Sequence, residues 1–252
     1  MKAGTTSLYN DLYRHPDIYL PEQKEPELLL SANSDDRVRR MYRKLMKGAT
    51  PGTIKGEAST GYTKRPQSEG CAARALRILG SDTKFIYIER DPIERAISHY
   101  RHCVIEGTET RCIDEALIRS PEYVDYGRYQ WQLEPWLSLF GPNQICVLSF
   151  EEYVENRDGF LRSVADFLRV DPQPLLGFSA EIHNSSDNKL VASRWQAAAI
   201  DSQFFQTTLK RLVPRRFRRA LKPLFLKTAP KTAKTIRPET EKILAKRLAQ
   251  SP

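Results

Sequence analysis

Apolar positions change their period along this chain, and the changes mark out its elements. Lys84 to Ile88 is an unbroken apolar run of the kind buried on both faces of a parallel sheet, and Gln144 to Phe150 is a second strand of good quality. Thr53 to Glu57 reads as a third, and Asp17 to Leu20 as a short extended piece closed by Pro21. Elsewhere the spacing is helical. Leu8 to Tyr13 continues a first helix that Pro16 ends, Asp35 to Met46 is a basic helix, and Ser68 to Leu79 puts Ala72, Ala75, Leu76 and Leu79 on one face. Pro92 suits the first turn of a helix over Ile93 to Val104; further helices are expected over Tyr126 to Phe140, Gly159 to Leu168 and Pro238 to Leu248. Strands alternating with helices predict an α/β fold with a mostly parallel central sheet and helices on both faces. Ligands of such sheets sit beyond the carboxyl ends of the strands.

Composition adds bounds to this pattern. The 252 residues, 40% hydrophobic and 28% charged, are those of an ordinary globular chain, read as a single domain over residues 1–252. No stretch reaches the roughly 18 apolar residues of a membrane helix. Cys71, Cys103, Cys112 and Cys146 form no CxxC pair, so a metal site is not expected; Cys103 and Cys112 are the one pair placed for a local bridge in an oxidising compartment. The net charge of +9 is concentrated: residues 202–238 hold eleven cations and no acid, and residues 1–201 sum to −3. Interleaved with Leu212, Phe217, Leu221 and Phe225, this stretch reads as a basic helical insertion. It could contact an anionic surface or simply pack as a cover; no nucleic-acid module frames it.

Two strings carry chemistry. Lys2-Ala3-Gly4-Thr5-Thr6-Ser7 is a small-residue loop running into a helix, where freed N–H groups, hydroxyls and one lysine converge on an anion. A capped helix start is the plainer reading. In α/β proteins a buried strand delivers the chain to such a loop, so a strand ahead of Met1 is expected. The lysine precedes the glycine, and Glu89-Arg90 stands where a metal-binding aspartate would close the strand, which argues against a Mg²⁺-dependent P-loop NTPase or nucleotide kinase. The second string is Arg90-Asp91-Pro92-Ile93-Glu94-Arg95-Ala96-Ile97-Ser98-His99-Tyr100. Arg90 leaves the strand end as a bidentate fork, and Ser98 lies about two turns along the helix, able to donate to the same anion.

Taken together, KxGTTSL and a later strand-xRDPxxRAxSxY resemble the sulfotransferase superfamily, and most closely its carbohydrate-type and bacterial branch. Gly56-Glu57-Ala58-Ser59-Thr60-Gly61-Tyr62 and Val147-Leu148-x-Phe150-Glu151-x-Tyr153 resemble the family's central loop and later strand. The resemblance implies a P-loop-like three-layer sandwich and the donor 3′-phosphoadenosine 5′-phosphosulfate, with 3′-phosphoadenosine 5′-phosphate as product and no metal. It implies that Lys2, Ala3, Gly4, Thr5, Thr6 and Ser7 bind the 5′-phosphosulfate and that Arg90 with Ser98 binds the 3′-phosphate. Within Gln23-Lys24-Glu25-Pro26-Glu27-Leu28-Leu29, Glu25 falls on the family's catalytic base, and Lys2 would stabilise the leaving oxygen. Sulfuryl transfer to a hydroxyl needs both. Lys24, Ser59 and His183 are candidate contacts to the acceptor, expected to be a carbohydrate hydroxyl or an amine. Leu28-Leu29 stand where aromatics are usual, and Ala58 where some relatives have lysine, departures that bear on the acceptor. The likeness implies a cytoplasmic enzyme of bacterial type, or a Golgi-lumenal one if an anchor precedes the chain. The rival reading is a degenerate relative that holds nucleotide without turnover.

Overall fold

The computed structural model describes residues 2–177 and 235–250, together with the backbone of short strands at 190–191 and 227–228. Helix α1 (Thr5–Tyr13) follows the opening loop, β1 (Ile18–Tyr19) leads to a one-turn 3₁₀ helix at Leu28–Leu30, and α2 (Asp35–Leu45) precedes β2 (Ile54–Lys55). Next come α3 (Cys71–Leu79), β3 (Phe85–Glu89), α4 (Pro92–Ile105), α5 (Ile113–Arg119), α6 (Glu122–Asp125) and α7 (Tyr129–Phe140). The chain continues through β4 (Ile145–Ser149), α8 (Phe150–Glu155), α9 (Arg157–Leu168), β5 (Leu190–Val191), β6 (Lys227–Thr228) and a last described helix, α10 (Pro238–Ala249).

The expected parallel pairing is present, divided into two ribbons. β3 and β4 pair in parallel from Phe85 opposite Ile145 to Glu89 opposite Ser149, and β1 pairs with β2 through Ile18 opposite Ile54. β5 and β6 form a separate antiparallel pair. Between β2 and β3 lies a cavity of about 880 Å³, lined by Ile54, Gly56 and Ala58 on one side and Phe85, Tyr87 and Ile88 on the other.

Period-2 alternation explains why helices cover both faces. Ile86 and Ile88 of β3, with Cys146 and Leu148 of β4, join a core built on Leu8 and Leu12 of α1 and Phe160, Leu161 and Val164 of α9. Phe85, Tyr87 and Ile145 face the other way, into a core made by Val38, Ala72, Ala75, Trp136 and Phe140. A third cluster, with Ala96, Ile97, Leu117 and Val124, buries Leu244 of α10 at 1% exposure.

Several boundaries differ from the pattern reading. Phe150 opens α8 and does not end the strand, because the Ser149 hydroxyl accepts from the Glu151 and Glu152 amides at 3.1 and 3.4 Å and caps a helix there. The single helix expected over Tyr126 to Phe140 begins at Tyr129; Arg128, at φ −84° and ψ 71°, is not helical. Pro135 sits inside α7, where it cannot donate to the Trp131 carbonyl, and Arg65 Nη1 takes that acceptor at 2.7 Å instead. Thr53 to Glu57 shortens to Ile54–Lys55, and helices α5, α6 and α8 lie where the pattern predicts no helix. All four cysteines are free thiols, so Cys103 and Cys112 are not bridged. Most of the basic insertion at 202–238 lies outside the described residues.

Candidate active site

The carboxyl ends of β1 to β4 release the chain on one side of the molecule, and the polar strings of the sequence lie there. Gly4 caps α1 at φ 77° and ψ 8°, and Lys2 is also left-handed at φ 66°. The Ser7 and Leu8 amides turn back to the Gly4 carbonyl at 2.9 and 3.2 Å, leaving those of Thr5 and Thr6 at the helix mouth for a ligand. A Cβ on Gly4 would stand 2.5 Å from the Phe150 ring, so glycine is required by packing as well as by conformation. Phe150 is shared: the Arg90 guanidinium lies over the same ring, 5.3 Å from its centroid. Arg90 also reaches the Lys2 carbonyl at 3.5 Å and Glu94 at 3.2 Å, and its own carbonyl accepts from Tyr129 OH at 2.7 Å. The fold therefore brings Arg90 onto the opening loop, across a separation of 88 residues.

Ser98 is half-buried on α4, whose start is fixed by Pro92 and by the Asp91 carboxylate accepting from the Glu94 amide at 2.8 Å. Ser7 and Ala3 behave differently. Their exposures are 5% and 2%; both side chains are buried, and the Ser7 amide is already donated to the Gly4 carbonyl.

Lys24 joins the opening loop to the expected base. Its Nζ donates to Thr6 Oγ1 at 3.1 Å and pairs with Glu25 Oε1 at 3.0 Å. Glu25 Oε2 accepts from the Thr60 amide at 2.6 Å and the Thr60 hydroxyl at 3.1 Å, while the Glu25 amide donates to the Ala58 carbonyl at 2.9 Å. Burial pushes the Glu25 carboxyl up, but the Thr60 amide and the Lys24 ammonium outweigh it and hold it below the usual range. Glu25 is therefore ionised at neutral pH and able to receive a proton. Lys24 and Glu25 are only 21% and 34% exposed, a partly buried pair instead of a solvated turn.

Ser59 is already engaged, donating to Glu57 Oε2 at 2.8 Å and accepting from the Glu27 amide at 3.1 Å. Leu28 and Leu29 are buried in the α2–α3–α7 core, so their aliphatic character serves packing there. His183 lies outside the described residues. The other histidines have structural contacts. His15 accepts from the Asp17 amide and lies 2.8 Å from the Asp171 carbonyl, His102 is 3.2 Å from Glu106, and His99 stacks on Tyr126. Burial, with Arg95 alongside, pushes His99 down to about 3. Thr60, Tyr62 and Phe150 stand in the strings that resemble the family but were assigned no contact there, and Tyr42 lay outside every motif. Among the described residues no group of three or more His, Cys, Asp or Glu side chains is placed to hold a metal ion, and no helix is long and apolar enough to cross a membrane.

The chain is similar to known sulfotransferases. Mouse heparan sulfate glucosamine 3-O-sulfotransferase 3B1 is 31% identical over 176 residues, 66% of this chain and 43% of that protein, and the human protein of the same name is 28% identical over the same length. The chain thus spans less than half the length of these relatives. Among solved structures, a sulfotransferase from Alicyclobacillus acidocaldarius superposes with a TM-score of 0.60 at 26% identity, covering 84% of this chain and 90% of that one. A family model described as the sulfotransferase domain matches residues 2–195, and the chain belongs to that family.

Proposed function

We propose that this protein transfers a sulfuryl group from 3′-phosphoadenosine 5′-phosphosulfate to a carbohydrate hydroxyl. The observation that carries the reading is Lys24, a single side chain hydrogen-bonded at once to the donor-loop Thr6 and to the carboxylate of Glu25. It puts an anion cradle and an ionised base within one lysine of each other. The donor's sulfated 5′-phosphate suits the Thr5 and Thr6 amides at the mouth of α1, with Lys2 two residues before the Gly4 cap, and its 3′-phosphate suits Arg90 and Ser98. The acceptor oxygen forms the new S–O bond as the bond from sulfur to the nucleotide phosphate breaks. Glu25 takes the hydroxyl proton, and Lys2 with the α1 terminus meets the charge appearing on the departing phosphate oxygen. A carbohydrate acceptor is supported by the names of the relatives, which act on heparan sulfate glucosamine.

Incubation of the protein with ³⁵S-labelled donor and a panel of polysaccharides, heparan sulfate included, tests this. Label is expected on a glycan hydroxyl, and Glu25→Gln should lower kcat by about 10²- to 10⁴-fold with affinity for 3′-phosphoadenosine 5′-phosphate nearly kept. Nucleotide binding without transfer to any acceptor would support the non-catalytic relative instead. Normal turnover by Glu25→Gln would move the base elsewhere.

A further inference from the structure

Glu57 stands at the end of β2, and its carboxylate is the meeting point of two hydrogen-bonded chains. On one side Oε2 accepts from Ser59 at 2.8 Å, and Ser59 Oγ accepts from the Glu27 amide at 3.1 Å. On the other, Oε1 accepts from Tyr42 OH at 3.2 Å, Tyr42 OH lies 3.2 Å from Tyr62 OH, and Tyr62 OH accepts from the Leu29 amide at 3.4 Å. Both chains end on the backbone of the segment that carries Glu25.

That segment needs holding. Glu25 and Glu27 adopt φ 55° and 47°, left-handed conformations that are strained for a side-chain-bearing residue and persist only where the surroundings enforce them. The loop after β2 supplies the enforcement: Ala58 and Thr60 hold Glu25 itself, and Ser59 holds Glu27. Glu57 ties this loop to Tyr42 of α2 and thereby to the core beneath. Its burial, the largest influence on it, raises its carboxyl above the usual range.

We propose that Glu57 is the positioning residue for the base: through Ser59–Glu27 and through Tyr42–Tyr62–Leu29 it sets the backbone turn that aims Glu25. The proposal rests on the reading of Glu25 as the base, and its test has one arm that does not. In that arm, hydrogen exchange of the backbone amides is compared between the wild type, Glu57→Ala and Glu57→Gln. Glu57→Ala should speed exchange at Glu27 and Leu29 by about tenfold or more, with α3 and α7 unchanged. In the kinetic arm, Glu57→Ala should lower kcat by about 10- to 100-fold, the scale of a small misplacement of a reacting group, with the donor KM within about twofold of wild type. Glu57→Gln, which keeps the side chain's size and one acceptor oxygen, should fall between the two in both arms and remains informative if the alanine variant does not fold. Wild-type exchange at Glu27 and Leu29 overturns the proposal. So does faster exchange throughout the α2–α3–α7 core with kcat and KM impaired together, since that marks a general packing role. Absence of transfer by the wild type would count against the reading of Glu25 alone, and the exchange arm would still decide whether Glu57 holds the turn.

Discussion

Gly4 shows how much one position can require. Its φ of 77° lies where a Cβ is strained, and the space a Cβ would enter holds the Phe150 ring that also supports Arg90. Gly4→Ala should therefore destabilise the fold by more than about 1 kcal/mol and displace the loop from Arg90. Thermal unfolding and calorimetric titration with 3′-phosphoadenosine 5′-phosphate check this together; unchanged nucleotide affinity would separate Phe150 and Arg90 from the donor site. Glycine, lysine and hydroxyl residues in one loop were legible in the sequence because their chemistry is local. The direction of each side chain was not. Ser7 looks like one more donor in the string, yet the turn of α1 buries it. Ser59 looks free to meet an acceptor, yet its hydroxyl is committed to Glu57 and Glu27. A hydroxyl's partner depends on which strand end lies opposite, and residues 32 positions apart in the chain decide that here.

At the level of elements, the strands were found by their apolar runs, whereas helix ends depended on partners from elsewhere. The segment between α4 and α6 is the clearest case. Glu109 accepts from the amides of Thr110 and Arg111 at 2.9 and 3.0 Å and from the Arg111 guanidinium at 2.9 and 2.6 Å, while Arg111 Nη2 reaches Ser120 at 2.7 Å. Tyr123 of α6 adds a bond to Glu109 at 3.3 Å. The Arg111 guanidinium, with these amides, holds the Glu109 carboxyl down at about 2, against an ordinary 4.5. A carboxyl lowered in the folded state stabilises it above the ordinary value and ceases to do so as pH falls through the lowered one. Glu109→Gln should thus lower Tm at pH 7, and its difference from wild type should shrink as pH falls from 4.5 towards 2. A difference that is the same at pH 7 and pH 2.5 would mean that the amide, not the charge, causes the loss. Nothing in the local pattern announces this cluster, since Glu109 and Arg111 sit in a polar stretch that reads as solvated loop.

Across the whole molecule, the two parallel ribbons turn the unpaired edges of β2 and β3 towards one cavity with strongly apolar walls. Two such edges, lined by Ile54, Phe85 and Ile88, have the chemistry to accept an apolar strand between them. A segment of about five β-branched residues joined ahead of residue 2 should pair there and raise Tm by about 5 °C or more, whereas a Gly/Ser segment of equal length should not. Equal shifts from both segments would dismiss a strand-shaped slot. The sequence by itself determined the α/β class and the parallel strands, and it singled out the opening loop, Arg90 and, by family resemblance, Glu25. Each of these rests on periodicity or on a short string whose backbone and side chains act within a few residues of one another. Only the tertiary structure decided that Lys24 spans Thr6 and Glu25, that Phe150 underlies both Gly4 and Arg90, and that Glu57 bonds Ser59 and Tyr42 beside the left-handed turn of Glu25 and Glu27. Those contacts join strand ends far apart in sequence, and a contact of that kind is set by how the strands and helices pack, which no local pattern encodes.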